Sequence, residues 1–227
     1  MNVLLEYILP RTCHVCGCQL GKDERYLCLK CLSKLPRSNF HRVQDNPMEQ
    51  RFMGIVPYER CSGLLLYTPN SELATVLHDM KYRKFPGLGR YMGELMGREL
   101  LNTGFFNGVD LLMPIPMHWW KRARRGYNQA EQLCIGISKI TGIPIDKSLR
   151  AVRSHRTQSA LNHDQRMQNL KDIFTVAHPE RLTGKHILLI DDVCTTGATL
   201  TAAAAPLARA LSYPAGRLSI LSLAVTF

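Results

Sequence analysis

The stretch Ile187 to Thr199, I-L-L-I-D-D-V-C-T-T-G-A-T, constrains the fold of this 227-residue chain more than any other. Ile187 to Ile190 form an unbroken apolar run, as a strand buried on both faces of a parallel sheet requires. Asp191 and Asp192 follow at once. Two adjacent carboxylates repel each other and resist desolvation, so they must face solvent, a polar ligand or a cation. Next, Val193 and Cys194 lead into Thr195-Thr196-Gly197-Ala198-Thr199, which opens an alanine-rich helix running to about Leu211. Such a loop presents backbone N–H groups, hydroxyls and the positive end of a helix dipole to one phosphate, and Gly197 lets the backbone come close. Acids beside a phosphate cradle describe a sugar phosphate, with the acids on the ribose hydroxyls and the loop on the 5′-phosphate. A plainer reading stands beside it, in which the acids cap the helix and the threonines are ordinary loop residues. A Walker A site is excluded, because G-x4-G-K-[ST] is absent.

The preceding chain alternates strands with helices. Gly63 to Tyr67 reads as a short buried strand, and Pro69-Asn70-Ser71 opens a helix with Leu73, Val76, Leu77 and Met80 on one face. A second helix is expected over roughly 87–101. Its G-L-G-R-Y-M-G segment has the wrong spacing for a dinucleotide fingerprint and follows a helix instead of a strand. Asp110 to Met113 is a strand ending in Pro114-Ile115-Pro116, and Tyr127 to Ile140 is helical. This order predicts a parallel sheet with right-handed crossovers, whose ligands bind beyond the carboxyl ends of the strands.

Near the N-terminus, Cys13-x2-Cys16 and Cys28-x2-Cys31 are separated by 11 residues, and Gly17 allows the first knuckle its left-handed turn. Four thiolates make a closed tetrahedral site, so a structural Zn2+ is expected, without catalysis; Cys18 and His14 lie close enough to be alternative ligands. Cys61, Cys134 and Cys194, like Cys18, read as free thiols. Leu4, Leu5, Tyr7, Ile8 and Leu9 read as a short helix docking this module. The polar, aperiodic stretch that follows is the candidate linker. The expected organisation is therefore 1–45 as helix and finger, 46–62 as linker, and 63–227 as the main domain. Thiol-rich spacing of this kind, no apolar run long enough for a bilayer and no signal-like start predict a soluble, cytoplasmic protein without membrane insertion.

The net charge is +11, with 14 Lys/Arg against 10 Asp/Glu in residues 1–109 and 15 against 8 in residues 110–227. Trp119 to Arg156 alone holds nine cations and two acids. A polyanion or merely a solvated basic surface would both account for that.

Together these motifs resemble the ComF family, competence-protein-F-like homologues of the type I phosphoribosyltransferases. The carriers are the four-cysteine finger, Lys81-Tyr82-Arg83, Pro114-Ile115-Pro116, Arg122 with Arg125-Gly126-Tyr127-Asn128-Gln129-Ala130-Glu131, Arg156-Thr157-Gln158, Arg166-x2-Asn169, Phe174 and the Asp191 to Thr199 segment. The resemblance spans essentially the whole chain. It implies a type I phosphoribosyltransferase-like parallel sheet that binds phosphoribosyl pyrophosphate (PRPP) or a related sugar phosphate with Mg2+. Asp191 and Asp192 would bracket the ribose hydroxyls, and Val193, Cys194, Thr195, Thr196, Gly197, Ala198 and Thr199 would form the phosphate loop. Pro114, Ile115, Pro116 and Met117 would form the pyrophosphate loop, with Arg122 and Arg125 as counter-charges. A hood over roughly 150–169 would add Arg153, Arg156 and Arg166.

Three functions stay open. In the first, implied by the resemblance, the protein handles single-stranded DNA during uptake, with Lys81, Arg83, Lys84, Lys121 and Arg124 as expected contacts and Trp119, Trp120 and Tyr127 interleaved for stacking. In the second it is a phosphoribosyltransferase whose acceptor the sequence does not identify. In the third it is a PRPP-binding regulator or scaffold whose finger docks a partner such as a helicase.

Overall fold

In the computed structural model, residues 10–83, 85–152, 173–212 and 215–226 are described, the side chain of Lys121 excepted. The core is a four-stranded parallel sheet in the order β1 (Arg60–Leu66), β6 (Arg217–Val225), β5 (His186–Cys194), β2 (Leu111–Pro114). The apolar run in β5 thus occupies an interior position, as its burial demands. The strand continues through the acids, since Asp191 pairs with Ser222 and Cys194 with Val225. A two-stranded antiparallel sheet, β3 (Leu149–Ala151) with β4 (Phe174–Val176), lies apart.

The two-residue period of β5 divides the core. Leu188 and Ile190 pack with the helices α3 (Glu72–Tyr82), α4 (Pro86–Leu101) and α6 (Gln129–Thr141). Ile187 and Leu189 face the other layer, which holds α2 (Pro47–Gln50), α7 (Ala198–Ala210) and the small sheet. The helices begin where local chemistry starts them. Ser71 accepts from Ala74 N at 3.2 Å, Pro86 stands in the first turn of α4, and Asn128 accepts from Ala130 N at 3.0 Å. That last cap shortens the helix expected over Tyr127 to Ile140. Before it, Trp119–Arg125 form a separate helix, α5, ended by Gly126 at φ +85°.

The glycines Gly89, Gly93 and Gly97 form the seam between α4 and α6. A Cβ on Gly93 would sit 2.2 Å from the Leu133 carbonyl oxygen, and one on Gly136 2.1 Å from that of Arg90. The pattern that lacked dinucleotide spacing serves helix packing.

The finger does not stand free. The second knuckle runs into α1 (Leu29–Lys34), which is capped by Cys28 and carries Cys31, and Cys13, Leu20, Leu27 and Cys28 share one core with Leu73, Leu77 and Met80 of α3. The stretch 46–62, read above as a linker, is packed too. Met48 and Phe52 are fully buried, and Asn46 builds a capping box with Glu49. Its aperiodicity reflects a single short helical turn and irregular backbone that pack on β1 in the same layer as α7. The short helix expected before the finger lies outside the described residues.

Candidate functional site

The acid pair, the loop after β5 and the loop after β2 meet at the carboxyl end of the sheet, where they line a cleft of about 290 Å³. Asp191, Asp192, Val193, Thr195 and Thr199 form one wall. Ile115, Pro116, Met117 and His118 form another, joined by Arg125 and by Lys81 from the last turn of α3.

Each wall is held from behind. Ile115 N donates to the Ile190 carbonyl at 2.9 Å, and Asn128 Nδ2 donates to the Ile115 carbonyl at 2.8 Å. Tyr127 Oη and Gln129 Nε2 both donate to the Met80 carbonyl, the latter at 3.1 Å. So Tyr127-Asn128-Gln129 fastens both the 114–117 loop and the end of α3. Arg51, from the segment read as linker, braces the loop after β5: its guanidinium donates to the carbonyls of Cys194, Thr195 and Thr226. Gly197 has φ +82° and its Cα packs against the Phe52 ring, where a Cβ would come within 3.2 Å. Glycine there meets both demands.

The electrostatics centre on the acids. Burial, and then the neighbouring Asp192 charge, hold the Asp191 carboxyl well above the usual carboxylate range. Asp191 Oδ1 accepts from Asp192 N at 2.8 Å, and Lys81 Nζ lies 3.0 Å from Asp192 Oδ2. The cleft therefore carries a hydroxyl-accepting acid pair, one cation on that pair, and a helix-start loop.

The predicted residues divide as follows. Pro114 and Cys194 are buried below the cleft. Thr196 Oγ1 accepts from Ala198 N at 3.4 Å on the outer side of the loop. Arg125 lines the cleft, whereas Arg122 and Arg124 are exposed outside it. Lys81, grouped above with the DNA contacts, is turned into the cleft. Arg83 is exposed and pairs with Asp79 at 3.1 Å. Trp119 is 74% exposed beside these arginines. Lys84, Arg153, Arg156, Arg166 and the side chain of Lys121 lie outside the described residues. Sequence reading missed Arg51 altogether, and its partners are 143 or more positions away, so no local pattern could reveal it.

At the finger, the sulfurs of Cys13, Cys16, Cys28 and Cys31 all lie within 4.8 Å of one another, with Cys16 and Cys28 3.8 Å apart. Four thiolates at about 2.3 Å around one tetrahedral ion would be separated by about 3.8 Å, so this group could hold a metal ion such as zinc. Cys28 N points at Cys13 Sγ and Cys31 N at Cys28 Sγ. The backbone N–H of Cys18 lowers the Cys16 thiol and that of Cys31 lowers Cys28, whereas burial pushes the Cys31 thiol up. Cys18 stands outside this group of four, and His14 turns its Nδ1 to Asp79 Oδ2 at 2.7 Å.

Comparison with known proteins finds relatives that cover most of the chain. DNA utilization protein YhgH of Escherichia coli (strain K12) is 27% identical over 192 residues, covering 83% of this chain and 80% of that protein. Competence protein F of Haemophilus influenzae is 36% identical over 105 residues, 45% of this chain and 46% of that protein. The chain is a homologue of these proteins. The ComF-like resemblance read from the motifs is thereby borne out, although no model of a known protein family matches the chain. Similar solved structures are phosphoribosyltransferases. Glutamine PRPP amidotransferase from B. subtilis has a TM-score of 0.42 at 18% identity, covering 63% of this chain and 30% of that one. Adenine phosphoribosyltransferase from Thermoanaerobacter pseudethanolicus has 0.40 at 16%, covering 79% and 99%. Among the described residues no helix is long and apolar enough to cross a membrane.

Proposed function

We propose that the chain is a ComF-type protein that binds PRPP or a related sugar phosphate in this cleft, and that it acts in the cytoplasm in handling incoming single-stranded DNA. The observation that carries the ligand reading is the convergence of two distant segments, 115–118 and 191–199, on one cleft with Lys81 and Arg125. Asp191 and Asp192 accept the two ribose hydroxyls. Thr195, Thr199 and the amides at the start of α7 take the 5′-phosphate. The 114–117 loop and Arg125 face the pyrophosphate, and Lys81 shares its charge between Asp192 and the ligand. Mg2+, when bound with the ligand, would be held mainly by ligand oxygens and water and would offset pyrophosphate charge. The DNA reading draws on the names of the relatives and on exposed Trp119 among exposed arginines.

Thermal melting tests the ligand reading. PRPP with Mg2+ at about 100 times its dissociation constant should add about 2.7 kcal/mol, or roughly 5–10 °C in melting temperature. Asp191→Asn combined with Asp192→Asn should abolish the rise. A wild type that does not respond to PRPP overturns the reading. Pyrophosphate release across a panel of bases and amines then separates a transferase from a binder.

A further inference from the structure

The finger and the cleft are joined through one helix. Asp79 and Lys81 are two positions apart on α3, which places them about 200° apart around its axis, on opposite sides. Asp79 faces the finger and is 2% exposed. Its Oδ2 is bonded to His14 Nδ1 at 2.7 Å, while its Oδ1 takes Arg83 Nε at 3.1 Å and lies 3.6 Å from His78 Nδ1. His14 sits between Cys13 and Cys16 in the first knuckle and meets Phe85 edge-on at 4.7 Å. Lys81, on the far side of the helix, pairs with Asp192. None of the described finger residues lines the cleft.

We propose that His14 is a positioning residue for the cleft: through Asp79 it sets the rotation of α3 that delivers Lys81 to Asp192. The physical reason is the cost of a buried carboxylate oxygen without its donor. If His14 withdraws, Asp79 regains a partner by turning the end of α3 toward water, and that turn carries Lys81 off Asp192. The Met80 carbonyl, gripped by Tyr127 and Gln129, is the pivot. The module that could hold a metal thus sets the charge of a cleft it does not touch. This inference rests on the sugar-phosphate reading above for its ligand, but not for its geometry.

The test uses the full chain with metal content measured alongside. Calorimetric titration of PRPP with Mg2+ should show His14→Ala weakening binding roughly tenfold, the size of one charge-assisted contact, with the metal retained. His14→Asn, whose amide nitrogen can stand in for the ring Nδ1, should recover most of the loss. In a Lys81→Met background His14→Ala should add nothing, because the effect travels through Lys81. A ligand-free readout runs in parallel: amine labelling of Lys81 should be several-fold faster in His14→Ala. Should His14→Ala fail to fold, Asp79→Asn leaves the finger sequence intact and should accelerate the same labelling in smaller measure. Lys81 labelling unchanged in both variants overturns the coupling. A wild type that ignores PRPP while Lys81 labelling still follows His14 overturns the ligand reading and upholds the coupling.

Discussion

Asp191 is a carboxyl group kept where it ionises with difficulty, which makes its contribution to stability run against its contribution to binding. Its folded-state pKa lies above the unfolded value near 3.9, for burial first and the Asp192 charge second. Linkage then gives the sign. The stabilisation from holding this proton is complete below about pH 4 and is lost as pH rises through the folded-state value. Asp191→Asn removes the titration while its Oδ1 can still accept from Asp192 N. The variant's gain in melting temperature over wild type should therefore be near zero at about pH 4 and grow toward neutral pH, measured by melts across that range. A gain that does not vary with pH would show that Asp191 ionises normally. Lys81 illustrates a different limit. Its sequence neighbours Tyr82 and Arg83 made it look like part of an exposed basic patch, and only the direction in which α3 presents it reveals its partner in Asp192.

At the scale of elements, two motifs changed meaning once the packing was known. Gly89, Gly93 and Gly97 on α4 let α6 approach until backbone meets backbone at Leu133. Gly93→Ala gains about 1 kcal/mol in helix propensity. It also places a methyl carbon on a carbonyl oxygen that cannot move without moving α6. Overpacking of this kind costs about 1–3 kcal/mol, and because the obstacle is backbone the upper end applies, leaving a net loss of about 2 kcal/mol and a fall of roughly 4–8 °C in melting temperature, measured by calorimetry. A variant that melts like wild type would show that the helices can separate freely. The second motif, Arg125 to Glu131, carried the family resemblance, with Arg125 expected as a counter-charge. Arg125 lines the cleft, as do Asn128 and Gln129, which together with Tyr127 also clamp α3 and the 114–117 loop.

For the whole molecule, the charge of +11 divides into parts with different work. Lys81 and Arg125 belong to the cleft, and Arg25 and Lys139 neutralise the buried Glu94. Arg122 and Arg124, exposed beside Trp119, remain for an outside polyanion. If that polyanion is single-stranded DNA, the logarithm of affinity should fall with the logarithm of salt by about 0.7 per phosphate contacted. Trp119→Ala should cost about 1–3 kcal/mol if one base stacks there. Fluorescence anisotropy over a salt series measures both, and binding absent or indifferent to salt would remove the DNA reading.

What the chain's order of residues determined by itself is local and covalently close. The apolar run with its two acids, the loop that opens α7, the two Cys-x2-Cys knuckles and the helix caps each act over a few positions, so their patterns are visible in one dimension. The parallel α/β architecture followed from their succession. The tertiary structure decided which of these meet. It brought Arg51 behind the loop after β5, turned Lys81 inward, packed the supposed linker into the layer that holds α7, and joined His14 to Asp79 across 65 positions. Those are contacts of long side chains over long sequence separations, fixed by burial and by the need to satisfy buried charge, and no periodicity in the sequence records them.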